Sequence, residues 1–270
     1  MFQKLESLGP DAIALVVERL ENRGKDKRFI DMRNSYLNKL NLTNSPKILE
    51  IGTGTGIISR DIAARKEFNG SIIAVDNNAS FVGKAMEFAK SESVDGSIEF
   101  KVDDALNLNE ENNTFDIVLF HTVLMHVEDP IKALCEAKRV LKDDGIIVTC
   151  DMDIPSYAFE LGGGDKQKQL LNKVFSFMVA NPSISRELPR MQKQLNLKIV
   201  DYTADIIAEI GHADFFQCMC TLFFPAAMEN GTISQNECLE SRELLQKAND
   251  ENVFFGAMVL YSYFLKQSDE

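Results

Sequence analysis

The stretch that decides the fold is ILEIGTGTGIISRDIAAR, residues 48–65, which sets three glycines, Gly52, Gly54 and Gly56, between an apolar run and a helix-like pattern. Ahead of them, Ile48, Leu49 and Ile51 form a short β-like run that begins after the breakers Asn44, Ser45 and Pro46. Behind them, Ile57, Ile58, Ile62 and Ala63 recur at helical spacing. A strand therefore passes into a helix through glycine. Glycine permits positive φ and carries no Cβ, so a ligand can approach the main chain within van der Waals contact while the next helix offers free N–H groups.

The same alternation repeats along the chain. SIIAVD reads as a strand, residues 80–91 as a helix, SIEFKVDD and FDIVLFH as strands, residues 130–141 as a helix closed by Asp144 and Gly145, and IIVTCDMD as a further strand. Strands separated by helices of roughly 10–15 residues predict an α/β fold with right-handed crossovers. The expected architecture is a seven-stranded, mostly parallel, Rossmann-like sheet with helices on both faces. Upstream lie two helical patterns, residues 11–20 and one running through Phe29, Met32, Tyr36, Leu37 and Leu40, separated by the charged turn ENRGKDKR. Beyond Pro155, GGG at 162–164 marks a loop, residues 166–179 are helical, Pro182 and Pro189 break the chain, and NLKIVDYTA is a strand. Helices over 213–229 and 234–249 precede the β-rich close AMVLYSYFL. The division expected is an N-terminal helical part (1–44), a Rossmann-like core (45–155), and a helical cap inserted in the C-terminal part with the last two strands of the same sheet (156–270), a second folded domain from about residue 156 being the alternative.

In an open parallel sheet, ligands sit outside the carboxyl ends of the strands where strand order reverses, and the first strand-to-helix turn is that place. The dinucleotide fingerprint G-x-G-x-x-G would need glycine at 57, where this chain has Ile57. Glu50, two residues before Gly52, would repel a pyrophosphate; it suits a cationic amino-acid group or braces the loop. Asp76 stands at the end of the second strand, 24 positions past Gly52, where a carboxylate can accept both ribose hydroxyls. The third strand ends at Asp103 and Asp104, and the fourth at His121 and Thr122. Four strand ends thus converge on one crevice.

Taken in order, E-x-G-x-G-x-G, VDNN, DDA and FDIVLFHTVLMHVEDPIKALCEAKRVLKDDGIIV resemble a class I S-adenosylmethionine-dependent methyltransferase, in the broad group similar to ubiquinone and menaquinone biosynthesis methyltransferases. The resemblance covers residues 47–153 and is loose in the C-terminal third. It implies that Glu50, Gly52, Thr53 and Gly54 surround the methionine portion of the cofactor, with Gly56 allowing tight helix packing. It implies Asp76 on the ribose hydroxyls, Asn77 beside the adenosine, Asp104 on the adenine amino group and Ala105 beside the ring. His121 and Thr122 would line the floor near the sulfonium, residues 45–155 would be the cofactor-binding core, and Arg33 and Tyr36 would belong to an N-terminal helical lid (1–44) folded over the cofactor. The family often has Cys or a small residue where Thr53 stands, and Thr fits there.

Plainer readings stand beside these. Asp76 could cap a helix, Asp103 caps or is solvated, and Asp116, at the start of its strand, is structural. His121 emerges where the methyl group should be, as contact or general base, since imidazole titrates in the useful range. His126 contacts substrate or packs, while His212 sits in a cap connection. Asp151 and Asp153 could meet a substrate amine or be solvated. Arg186 could clamp a substrate carboxylate or pair with a surface acid. FFQCMCTLFF is cap core that can also wall an apolar pocket.

The 270 residues carry a formal net charge of -12 and are 45% hydrophobic, enough to fill a sizeable interior. That charge disfavours a nucleic-acid partner and suits small neutral or cationic ones. No secretory signal or run of about 18 apolar residues is visible, so a soluble protein with no membrane partner is expected. Five scattered cysteines point to reduced thiols in the cytoplasm, and three histidines far from them give no metal-binding spacing. The fourth strand ends in FHTV, not in the Asn-Pro-Pro-aromatic motif of amino-group methylation in DNA or protein. A small-molecule acceptor and a monomer or homodimer are expected. A nicotinamide-dependent reductase lacks its third glycine and a Tyr/Lys proton-donor pair; a cofactor-binding regulatory or inactive protein is the competing class.

Overall fold

The computed structural model describes residues 10–268. The expectation that no secretory signal opens the chain rests partly on residues 1–9, which lie outside the described residues. Two helices, α1 (Pro10–Lys25) and α2 (Lys27–Leu37), precede β1 (Lys47–Ile51), α3 (Ile57–Ala63), β2 (Ser71–Asp76), α4 (Ala79–Ser91), β3 (Ile98–Val102), β4 (Phe115–His121) and α5 (Pro130–Val140). The remainder is β5 (Leu141–Glu160), α6 (Gly164–Met178), α7 (Ile184–Gln194), β6 (Leu197–Gly211), α8 (Phe224–Glu229), α9 (Gln235–Asp250) and β7 (Phe254–Gln267).

Among the described residues these strands form one seven-stranded sheet in the order β3-β2-β1-β4-β5-β7-β6. The first five are parallel, and β7 runs antiparallel to both β5 and β6. The order reverses between β1 and β4, which pair in parallel with Ile48 opposite Ile117. β1 is covered on both faces, so Ile48 and Leu49 are fully buried, each contributing roughly 1.5–3 kcal/mol.

Several elements depart from the expected bounds for identifiable reasons. The expected turn at ENRGKDKR shrinks to Asp26, which ends α1 and whose carboxylate accepts the Arg28 N–H to start α2. α5 stops at Val140, and β5 begins at once, continuing through Pro155 instead of ending near Asp153. Its pairing with β7 is interrupted between Asp153 and Ala158, so Pro155 falls where no ladder N–H is required. Ser156 fills the gap, accepting the Val259 N–H. Pro189 lies inside α7 and does not break it. The Ser185 carbonyl that would have taken the missing N–H instead accepts the Tyr263 hydroxyl at 2.8 Å. Residues 213–229 do not form one helix: a wide turn at Met219–Phe223 leads into the short α8. The Glu209 carboxylate captures the N–H groups of Asp214, Phe215 and Phe216, fixing a loop where helix was expected.

α2 is part of the body of the fold. It buries Phe29, Met32, Tyr36 and Leu37 and is tied to β6 by Ser35 to Asp205 and Arg28 to Glu209, with Lys39 just past its end paired to Asp201. The helix that covers the glycine turn is α1, whose Leu20 is the nearest side chain to the open side of Gly54.

Candidate active site

A cavity of about 470 Å³ opens at the carboxyl ends of β1, β2 and β4, within the size range of small-molecule sites. Its wall includes Arg33, Glu50, Gly52, Thr53, Gly54, Asp76, Asn77, Asp104, Ala105, His121, Thr122 and His126. Tyr36, Asp153 and Arg186 stand off it.

The three glycines all take positive φ, +72° at Gly52, +55° at Gly54 and +81° at Gly56. A Cβ at Gly52 would lie 2.4 Å from Val123 Cγ2, so the turn is locked against the loop after β4. At Gly54 the nearest atom to such a Cβ is 3.6 Å away, leaving main chain bare toward the cavity. A Cβ at Gly56 would press on Phe100 and Ala85 at 3.0–3.1 Å, the tight packing expected of it.

Two carboxylates hold this turn from beneath. Glu50 Oε2 accepts the Thr53 hydroxyl at 2.9 Å, the Ser59 N–H at 3.0 Å and the Ser59 hydroxyl. Burial pushes its carboxyl up to about 7, against the pull of the Ser59 and Thr53 bonds. Glu50 thus braces the loop while one oxygen remains uncommitted among the described residues. Asp76 accepts the Gly54 N–H at 2.8 Å on Oδ2 and the Asn78 N–H at 2.9 Å on Oδ1, so each oxygen keeps a lone pair for a further donor. Burial raises its pKa too. The N-cap of α4 is Asn78, which removes the capping alternative for Asp76. Asp103 accepts the Asn109 side chain and main chain, a loop-closing role. Asp104 is exposed at the rim, with Oδ1 on the Leu106 N–H.

At the far end of β4, His121 Nδ1 lies 2.9 Å from the Tyr36 hydroxyl. Burial, with the charges of Arg23 and Arg33, holds its pKa well below the usual histidine value. His126 is pushed down to about 3, chiefly by burial. Both rings are neutral at physiological pH and are weak bases there. Thr122 carries φ +57°, an outlier for a β-branched residue, and its hydroxyl accepts from Arg23 at 3.2 Å.

Asp151, weighed above for a substrate amine, accepts the Met125 N–H and is hydrogen-bonded to the Leu124 and Val123 main chain, supporting the turn that carries His126. Asp153 is buried, and both its oxygens are taken by Arg186 at 2.7 and 2.8 Å. The pair satisfies itself, so neither reaches the cavity. Asn181, in the loop between α6 and α7, bonds the Leu124 and Val127 carbonyls and fastens the cap onto the β4 turn. The cap side of the wall is apolar, from Met152, Tyr157, Phe175, Met178, Phe215 and Phe223.

Among the cavity residues that the sequence reading did not single out are the charged Arg19 and Arg23 of α1 and Glu128. The signal for the two arginines was an i,i+4 pair of cations beside the apolar Val16 and Leu20.

Among the described residues no three His, Cys, Asp or Glu side chains gather to hold a metal ion, and no helix is long and apolar enough to cross a membrane.

Residues 42–205 match the family model of a methyltransferase domain. A ubiquinone/menaquinone biosynthesis C-methyltransferase from Geobacter sp. (strain M21) is 25% identical over 206 residues, covering 76% of this chain and 80% of that protein. A protein of the same description from Citrifermentans bemidjiense is 28% identical over 141 residues, 52% of this chain and 59% of that relative's length. A crystal structure of a proposed methyltransferase from Bacillus halodurans C-125 superposes with a TM-score of 0.64 at 16% identity, over 87% of this chain and 98% of that one. The chain belongs to the methyltransferase domain family, and with this fold it is a class I S-adenosylmethionine-dependent methyltransferase.

Proposed function

We propose that this enzyme methylates a small-molecule acceptor held between the glycine turn and the apolar cap. The observation that carries the reading is the two-ended cavity: bare main chain and carboxylates at one end, Met and Phe side chains at the other. When bound, the cofactor supplies a methyl group made electrophilic by its sulfonium, and transfer is a direct displacement that needs alignment and dry surroundings more than acid–base chemistry.

In this reading Gly52, Thr53 and Gly54 pass beneath the amino-acid portion of the cofactor, with Glu50 fixing the turn. Asp76 uses its remaining lone pairs on the ribose hydroxyls, Asn77 lies beside the adenosine, and Asp104 and Ala105 border the adenine. Arg33, held by Asp61 at 2.9 Å and lining the cavity, is the cation placed for the cofactor's own carboxylate. Tyr36 acts through His121, fixing the ring by its hydrogen bond. His121 and Thr122 shape the floor. With its pKa depressed, His121 is a weak general base, and in this reading its part is to orient and desolvate the acceptor. His126 borders the acceptor end.

The division into an N-terminal helical segment (1–44), a core (45–155) and a cap with the last two strands (156–270) goes with this reading, α1 being the part that closes over the turn. So does a cytoplasmic setting with reduced thiols and no nucleic-acid partner. The test is incubation with methyl-tritiated cofactor and a metabolite extract. Label is expected in the small-molecule fraction; label confined to protein or nucleic acid would overturn the reading.

A further inference from the structure

Arg19 and Arg23 have no task in the scheme above, yet both face the cavity one helical turn apart. Arginines nearby each have an acid partner: Arg28 has Glu209, Arg33 has Asp61 through its Nε, and Arg60 has Glu21. No ion pair among the described residues reaches Arg19 or Arg23. The Arg19 guanidinium lies 4.5 Å over the Phe223 ring and 5.9 Å from that of Phe215, while its buried Nε has no hydrogen-bond partner among the described residues. Arg23 donates to Thr122 Oγ1 and lies 5.8 Å from the Phe29 ring. Burial, then the like charge of Arg19, pulls its pKa down to about 10. Two adjacent, largely buried cations with no acid paired to either among the described residues are costly unless an anion completes the site.

Their position says whose anion it is. Arg23 donates to Thr122 at the floor of the site, and Arg19 lies against the cap aromatics Phe215 and Phe223. We infer that the acceptor is itself an anion, with an apolar, ring-bearing body against Phe215 and Phe223 and a carboxylate or phosphate held by Arg19 and Arg23. Guanidinium suits both oxyanions by its planar fork of donors. The local charge is opposite to the net charge of -12, so whole-chain charge misleads about the ligand. The inference rests on the methyltransferase reading of the same cavity.

The test uses calorimetry on protein saturated with S-adenosylhomocysteine, titrated with 3-phenylpropionate, phenyl phosphate and the uncharged 3-phenylpropionamide. At least one anion is expected to bind about 10-fold or more tightly than the amide, as a charge-assisted bond gives, and whichever anion wins identifies the group. Arg19→Gln and Arg23→Gln should each erase that preference and leave S-adenosylhomocysteine affinity and melting temperature within twofold and a few degrees of wild type. Arg19→Lys should retain part of it. Equal binding of anions and amide overturns the inference, as do variants that lose the cofactor product and not the anion, since the arginines would then serve the cofactor. Folded wild-type protein that ignores S-adenosylhomocysteine would sink the cofactor reading first, and this inference with it.

Discussion

Gly52 and Gly54 share a left-handed backbone but differ in what a methyl group would strike, and that difference separates folding from binding. Alanine at either position meets the left-handed strain of roughly 1–2 kcal/mol. At Gly52 it also collides with Val123 at 2.4 Å, whereas at Gly54 it meets only Leu20 Cδ1 at an ordinary contact distance of 3.6 Å. Gly52→Ala should therefore lower the melting temperature clearly more than Gly54→Ala, while Gly54→Ala loses most S-adenosylhomocysteine binding in a still-folded protein. Equal melting temperatures, or full binding by Gly54→Ala, would contradict this. Glu50 makes a second prediction. Its folded pKa of about 7 exceeds the ordinary 4.5, so the folded state holds the proton more tightly than the unfolded chain. Its contribution to stability is therefore fully present below about 4.5 and falls as pH rises to about 7, by at most about 3 kcal/mol. Denaturant unfolding of the cofactor-free protein across that window should show Glu50→Gln flattening the decline; an unchanged slope would mean the carboxylate is not desolvated. Asp151, raised to about 7 by the same burial, sustains the part of the slope that remains.

Among the elements, those that alternate locally were legible, and those finished by a distant partner were not. β1, β2 and β4 are short apolar runs bounded by their own breakers, and β4 matches its expected limits at Phe115 and His121. α7 was hidden because the group that rescues it belongs to Tyr263, 78 positions away. The 213–216 loop was hidden because Glu209 reaches forward to hold three N–H groups, which looks like any surface acid in the sequence. Tyr263→Phe tests this: it leaves the Ser185 carbonyl unpaired in α7 and should destabilise the protein by roughly 1–3 kcal/mol in chemical unfolding, with S-adenosylhomocysteine affinity unchanged. No loss of stability would mean that water or a shifted helix already serves that carbonyl. The candidate site divides in the same way. Its strand-end residues could be read from position alone, whereas Arg19 and Arg23 required knowing which face of α1 turns inward, and Arg186, left open between a substrate clamp and an acid pair, was decided only by the buried Asp153 beside it.

Across the whole molecule, one sheet reversal places a glycine turn, three carboxylate-bearing strand ends and an apolar cap around a shared cavity, and the cap is fastened there by Asn181. The central claim is that the cofactor crosses the bare main chain at Gly52 and Gly54 with its sugar on Asp76. Calorimetry of wild type and Asp76→Asn with S-adenosylhomocysteine, with NADH as the control, tests it most directly. The account predicts saturable heat for wild type, a loss of about tenfold or more in affinity for Asp76→Asn, and none for NADH. Clean NADH binding with no response to S-adenosylhomocysteine, or an Asp76→Asn variant that binds it as well as wild type, would contradict it.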